Sequence, residues 1–278
     1  MAGPDLRRTP ARPDLAAAHL RGRVTAERFA EAEPARVSAA VAPMWTGPDA
    51  ARRGSELLFG EIFDIYERRD GLAWGQARAD GYMGYVPEDA LAAPAGDTTA
   101  RVSAPLAHLY PEPDIKAPPR LILPQGSRLT LQGGAGRFRE TPDGFVIATH
   151  VALDGRPAED WVAVAESLRG APYLWGGRSM LGIDCSALVQ QALTAAGTPC
   201  PRDTDMQAAE LGTALAPGSA LRRGDLVFWK GHVGVMLDET VLLHANAWHM
   251  QVAQEPLDGA IARIAAQDGG PVTARRRP

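Results

Sequence analysis

The sequence predicts an α+β domain preceded by two small all-β barrels. Three observations carry that fold class. Short β-prone runs broken by Asp-Gly turns fill residues 35–94, and a similar outline returns over 95–155. From about residue 158 helical spacing takes over, and strand patterns then resume.

Residues 1–34 are rich in Ala, Arg and Pro and read as an extended lead-in with one short helix near 24–31. The first barrel, 35–94, rests on Leu57-Leu58-Phe59, Ile62 to Tyr66, Leu72 to Arg78 and Tyr82 to Val86. Its breaks are Arg69-Asp70-Gly71 and Ala79-Asp80-Gly81. The second barrel, 95–155, echoes it: Gly126-Ser127-Arg128-Leu129 follows Gly54-Ser55-Glu56-Leu57, and Asp143-Gly144-Phe145 follows Asp80-Gly81-Tyr82. Gly133-Gly134-Ala135-Gly136 is read as a loop, because a phosphate-binding glycine loop runs from a strand into a helix. In the last domain, 156–278, Trp161, Val164, Ala165 and Leu168 give Ala158–Leu168 a helical period. Cys185–Ala196 is a second helix ended by Gly197. Strands follow at Leu226–Trp229, His232–Leu237, Val241–Asn246 and Gln251–Glu255.

Composition narrows the class. The 278 residues are 45% apolar and 22% charged, with a net charge of −4, as in an ordinary soluble protein. Apolar runs fall far short of the roughly 20 residues of a membrane span. Arg275-Arg276-Arg277 lacks interleaved aromatics and is expected to be a solvated tail, so neither nucleic acid nor membrane is an expected partner. No apolar segment follows the first arginines, and Cys185 and Cys200 make no disulfide framework; both point to the cytoplasm. Oligomeric state leaves no trace in the sequence.

The chemistry concentrates between residues 173 and 246. Cys185 opens a helix directly after Asp184, where the positive helix end and a nearby imidazolium favour the nucleophilic thiolate. Cys200, between two prolines, is an inert loop thiol. If Asp238-Glu239-Thr240 forms the loop between two strands, His232 faces Asn246 and Gly234 faces His244. Both histidines then point to one face of the sheet as diagonal neighbours, about 7–8 Å apart between backbones. Gly234 would leave room for the two rings to meet. His232 is the expected base and His244 its orienter. His19, His108, His150 and His249 have no such partner. Cys185, His232 and His244 match no ordinary zinc spacing, so no metal is expected, and no organic cofactor is implied.

Several ordered segments carry a resemblance. Pro172-Tyr173-Leu174-Trp175-Gly176-Gly177, Asp184-Cys185-Ser186, Gly224-Asp225-Leu226-Val227-Phe228, His232-Val233-Gly234 and His244-Ala245-Asn246 resemble the NlpC-type bacterial cell-wall cysteine peptidases. That family implies a papain-like core, with Cys185 as nucleophile, His232 as base, His244 as orienting group and Tyr173 near the oxyanion. Asp184, Ser186 and Trp175 come with the same motifs as substrate contacts. The upstream barrels resemble the SH3-like domains of the branch that cuts muropeptides between γ-D-glutamate and the diamino acid. In that branch a glutamate and a tyrosine, matching Glu61 and Tyr82, close one end of the site; Tyr85 stands where the branch often has Trp. Pro201-Arg202-Asp203-Thr204 resembles its Arg-Asp-Ser segment, which implies that Asp203 meets the substrate's terminal ammonium beside Thr204. From the residues alone, Asp205 is the expected cap of a short helix beginning near Met206. The expected partner is a muropeptide. Two rivals are a catalytically inactive peptide-binding module, and an amidase or acyltransferase using the same Cys-His pair.

Overall fold

A computed structural model of the protein describes residues 3–134, 136–216, 218–267 and 269–278. The chain falls into two units, Met1–Asp154 and Gly155–Pro278. Among the described residues, no helix is long and apolar enough to cross a membrane.

The lead-in is stapled to the first sheet. Strand β1 (Leu15–Ala17) runs parallel to β2 (Arg28–Ala30), so no helix forms at 24–31. Tertiary contacts override the local pattern there. Leu15 is fully buried against Trp74 and Met83, and the Arg12 guanidinium lies 4.3 Å from the Trp74 ring centre. The seven strands that follow are β3 (Glu33–Val37), β4 (Val41–Trp45), β5 (Arg53–Leu58), β6 (Ile62–Arg69), β7 (Leu72–Ala77), β8 (Met83–Pro87) and β9 (Leu91–Ala92). They form one antiparallel sheet in the order β5-β4-β8-β7-β6-β3-β9. Alternation along β6 turns Phe63 and Ile65 into a core with Met44, Leu57 and Val86. Asp70 and Gly71 both take left-handed backbone (φ 53° and 78°), as a two-residue hairpin turn between β6 and β7 requires.

The next seven strands are β10 (Ala100–Val102), β11 (Leu106–Leu109), β12 (Leu121–Pro124), β13 (Arg128–Leu129), β14 (Phe138–Thr141), β15 (Gly144–Ile147) and β16 (Val151–Leu153). They repeat the pairing outline. β3 pairs with β6 and β9, and β10 pairs with β13 and β16. Hairpins β4–β5 and β7–β8 return as β11–β12 and β14–β15. Each copy makes one 3₁₀ turn before its last strand, at Glu88–Ala90 and Ala148–His150.

The register of the echo differs from the expected one. Gly60, not Gly54, stands where Gly126 does: both have positive φ, and they donate to Val37 and Val102 respectively. Likewise Tyr85, rather than Tyr82, matches Phe145, since Tyr85 bridges Trp45 and Phe145 bridges Tyr110. Neither copy closes into a barrel among the described residues. The second copy splits into a three-stranded sheet and two hairpins. The connection from β11 to β12 holds Pro111, Pro113, Pro118 and Pro119, which have no N–H for a ladder. The expected loop at 133–136 includes Ala135, outside the described residues; Gly133 bridges Glu140.

In the second unit, α1 (Trp161–Ser167) is capped by Asp160, which accepts from Val162 and Ala163. Strands β17 (Arg178–Ser179) and β18 (Gly182–Ile183) lead into α2 (Cys185–Ala195) and α3 (Thr204–Glu210). Gly197, at φ 80°, ends α2 by donating to Thr194 while Thr198 donates to Leu193. The remaining elements are β19 (Thr213–Ala214), β20 (Leu226–Trp229), β21 (His232–Met236), β22 (Val241–Asn246), β23 (Gln251–Pro256), α4 (Leu257–Ala266) and β24 (Ala274–Arg277). The sheet order is β19-β24-β20-β21-β22-β23. One face, with Val233, Val235, Leu243 and Ala245, packs on α1 and α2. Met236 and Leu242 pack on Leu257 and Ala260 of α4.

The C-terminal arginines are not a solvated tail. They form β24 beside β20, and Arg277 makes a two-pronged ion pair with fully buried Asp225 (2.7 Å each). Burial raises the Asp225 pKa, but the Arg277 hydrogen bond, the Arg222 N–H and the nearby positive charges lower it further, so the net shift is downward. A carboxylate held below its ordinary range stabilises the fold above that range and stops doing so as pH falls through the lowered value. Arg277→Ala and Asp225→Asn should therefore each lower Tm near neutral pH, and the double variant should lose less than the sum. The gap between wild type and either variant should narrow on acidification; thermal melts across pH check both points.

Candidate active site

The site is built around a buried carboxylate. Asp184 caps α2, and its Oδ1 accepts from the Ala187 N–H (2.8 Å) and the Ser186 hydroxyl (3.1 Å). Arg202 donates to both carboxylate oxygens (3.0 and 2.6 Å) and to the Ser186 hydroxyl (2.8 Å). The Gly176 N–H closes the set at 3.0 Å. Arg202 is 1% exposed, and removing one partner of such a buried pair costs about 3–5 kcal/mol. One node thus ties together the aromatic-Gly-Gly loop, the start of α2 and the loop before α3. Gln207, fully buried, adds a tie from α3 to the Ser186 carbonyl (2.9 Å). Cys185 follows Asp184 directly. Its sulfur lies 4.0 Å from the carbonyl oxygen of Gly231, the residue before His232.

The histidines meet. Val235 pairs with Leu243 and Met236 with Leu242, which is the register of a three-residue 238–240 loop. His232 Nε2 lies 2.8 Å from His244 Nδ1. A side chain at Gly234 would first strike Leu242, 2.7 Å away. Beyond His244 the chain of bonds continues. His244 Nε2 is 2.8 Å from Glu255 Oε1, to which Arg263 also donates. Trp229 flanks His232, with ring centres 5.7 Å apart.

Burial governs the protons here. Cys185 is 6% exposed, and burial, followed by the Asp184 charge, pushes its thiol up to about 12. The N–H groups of Val233 and Ser186 and the Arg202 charge pull the other way without prevailing. His232 is held down to about 3 by burial first, then by His244 and Arg263, against Glu255 and Asp184. His244 is held down to about 3 by burial, then by Arg263 and His249. Burial thus favours the neutral thiol and the neutral imidazole, and it opposes the helix end that favours a thiolate at Cys185.

The remaining expected residues have definite places. Tyr173 is half-buried, donates its N–H to Met250 (2.9 Å), and has its hydroxyl pKa raised by burial, then by the charges of Cys185 and Asp184. Trp175 is 67% exposed. The Ser186 hydroxyl is engaged by Asp184 and Arg202. Helix α3 begins at Thr204, so Asp203, not Asp205, holds the cap position; its side chain makes no capping bond, and Asp205 lies in the first turn. Cys200 is buried, and Gln207 donates to its sulfur at 3.5 Å. In the first unit, Glu61 accepts from the Leu58 N–H (2.9 Å) and Tyr82 lies in the core cluster with Met44 and Phe63.

Sequence reasoning gave no role to Arg202, Gln207, Glu255 or Arg263, and set His249 aside as lacking a partner. His249 does have partners: its Nδ1 lies 3.0 Å from Asn246 Oδ1 and its ring 6.5 Å from that of His244. Ligand atoms of His244, His249 and Glu255 come within 4.8 Å of one another, but Arg263 sets a fixed positive charge on the shared carboxylate. Glu255 was legible in principle. His244 pairs with Ala253 and Leu242 with Glu255, so alternation puts Glu255 on the histidine face.

Comparison with known proteins agrees with this architecture. The NlpC/P60 family pattern matches residues 170–265, and the bacterial dipeptidyl-peptidase Sh3 domain matches residues 44–91. Dipeptidyl-peptidase 6 of Lysinibacillus sphaericus is 34% identical over 112 residues, 40% of this chain and 41% of that protein. The match therefore spans less than half the length of that relative. The gamma-D-glutamyl-L-lysine dipeptidyl-peptidase of Bacillus cereus is 25% identical over 250 residues, 76% of this chain and 72% of that protein. A solved NlpC/P60 family protein from Bacillus cereus shares the fold, with a TM-score of 0.74 over 88% of this chain and 99% of that one, at 20% identity. The chain thus carries an NlpC/P60 family domain, preceded in sequence by a bacterial dipeptidyl-peptidase SH3 domain.

Proposed function

We propose that the protein is a cysteine peptidase that cuts peptidoglycan-derived peptides between γ-D-glutamate and the diamino acid. The observation that carries the reading is Cys185 at the start of α2, its sulfur beside the backbone of His232, whose ring is bonded to His244. Relatives named dipeptidyl-peptidase 6 and gamma-D-glutamyl-L-lysine dipeptidyl-peptidase support the substrate class.

In this reading the Cys185 sulfur attacks the amide carbon as its proton passes to His232, so the buried charges form together and only against substrate. The carbonyl oxygen becomes an oxyanion near the N-terminus of α2, where Tyr173, kept protonated, is the proposed further donor. Collapse breaks the C–N bond, and His232 returns the proton to the leaving amine. Water, deprotonated by His232, then attacks the thioester and releases the acid and the thiol. Asp203, with Thr204 beside it, is the proposed contact for a terminal ammonium, and Trp175 offers an exposed apolar face. Asp184 and Ser186 are proposed to act on substrate through the loop they hold. Glu61 and Tyr82 enter the proposal on the family likeness alone. Preference for a free amine suits released fragments and hence cytoplasmic recycling of wall peptides.

Three experiments test this. A charge-assisted contact contributes about 1.5–3 kcal/mol, or about 10- to 150-fold in selectivity. L-Ala-γ-D-Glu-diamino acid tripeptide should be cut to the L-Ala-D-Glu dipeptide, and its N-acetylated form should be poorer by that factor in kcat/KM. Equal values overturn the amine preference, and Asp203→Asn should erase the difference where it exists. Separately, in a Cys200→Ser background, Cys185 alkylation by iodoacetamide should rise steadily with pH, about tenfold per unit between about pH 7 and pH 10. A neutral-pH plateau that vanishes in His232→Ala would instead mark a resting ion pair. Cys185→Ala and His232→Ala should both abolish peptide cleavage, and His244→Asn should keep more activity than His244→Ala.

A further inference from the structure

The hydrogen-bond chain beyond His244 has a direction. Glu255 Oε1 takes a bond from Arg263, and a guanidinium has only donors to offer. That same oxygen, 2.8 Å from His244 Nε2, is therefore an acceptor for the histidine as well. His244 must then carry its proton on Nε2 and turn a bare Nδ1 toward His232. The 2.8 Å bond between His232 Nε2 and His244 Nδ1 is consequently donated by His232. Neutral His232 is fixed in the Nε2–H form, which leaves Nδ1 as its only basic nitrogen.

We propose that Glu255, clamped by Arg263, is a positioning residue that sets the polarity of this chain and so selects which nitrogen of His232 accepts the thiol proton. The inference rests on the peptidase reading for its kinetic consequence, but not for its structural one. The fold builds the clamp deliberately from two elements. Glu255 lies on β23, diagonal to His244 across the ladder, and Arg263 lies in the last turn of α4. Arg263 is itself seated over Trp248, 5.4 Å from its ring centre. Both Glu255 and Arg263 are largely buried, at 15% and 17% side-chain exposure, so their charges act with little screening.

The charged and titratable groups facing the two histidines are few enough to sign. Asp184 acts on His232 from the cap of α2, with Cys185 next to it in the chain; Glu255 faces the pair from β23, Arg263 from α4, and His249 from the β22–β23 turn. Glu255 and Asp184 favour the imidazolium; Arg263 and His249 disfavour it. Removing the Glu255 charge should therefore move the imidazole limb of the pH–rate profile to lower pH, and removing the Arg263 charge should move it to higher pH.

The test joins a substrate-free readout to a kinetic one. In ¹⁵N-labelled wild-type protein, His232 and His244 should both show the Nε2–H tautomer; an Nδ1–H form of His244 overturns the proposal. This measurement stands even if wild type fails to cut the tripeptide, a result that would remove the peptidase reading alone. With cleavage established, Glu255→Ala should lower kcat about 10- to 100-fold with little change in KM, the range seen for outer partners that orient a functional histidine. Glu255→Gln keeps an acceptor oxygen and should recover most of that loss while shifting the imidazole limb down. Arg263→Gln should shift it up. Wild-type kcat in Glu255→Ala, or shifts of one sign in both charge variants, overturns the proposal.

Discussion

Asp184 holds five hydrogen bonds on one buried carboxylate, from Gly176, Ser186, Ala187 and both terminal nitrogens of Arg202. The site depends on that clamp. A carboxylate out of water is tolerable only when its lone pairs are filled, and filling them here joins two loops to the first turn of a helix. The Gly176 bond fixes the loop carrying Tyr173 and Trp175. The Ala187 bond fixes the first turn of α2 and with it Cys185. Arg202 fixes the segment that ends in Asp203 and Thr204. Cap, ion pair and loop anchor are one arrangement, so no part can relax alone.

The dryness that makes this clamp strong also sets the resting chemistry. Cys185, His232 and His244 are withdrawn from water, and each is pushed toward its neutral form. In the proposed reaction this direction favours passing the thiol proton to the imidazole as the carbon–sulfur bond forms, so that little charge is separated beforehand. Orientation then matters more than resting acidity, since a neutral imidazole accepts a proton on one nitrogen only. The bonds from His232 through His244 to Glu255 meet that need in a region where an unpaired polar atom is costly.

The amino-terminal unit shows a different economy. Its two copies share a strand outline but not length, and the second breaks into short ladders where prolines interrupt. Gly60 and Gly126 mark the shared turn because only glycine takes their left-handed backbone without strain, and a side chain at Gly60 would collide with the Arg128 carbonyl, 2.0 Å away. The literal echo of Gly54 with Gly126 misled because similar short strings recur by chance, whereas the paired strands align by hydrogen bonds.

By itself the sequence determined the parts whose causes are local. Helical spacing, Asp184 and Gly197 bounded α2 and put Cys185 at its start. The three-residue 238–240 loop set the β21–β22 register, and register alone brought His232 to His244, because side chains alternate strictly along a strand. Only the tertiary structure decided the contacts between segments with no periodic relation. Arg277 found Asp225 across 52 residues and made a strand of an apparent tail. Met83 and Trp74 drew the lead-in into β-structure at Leu15. Arg263 reached Glu255 from the helix that directly follows β23, and burial at Cys185 opposes the thiolate that the helix end favours. Desolvation and long-range ion pairing belong to the packed whole, and no string of neighbouring residues encodes either.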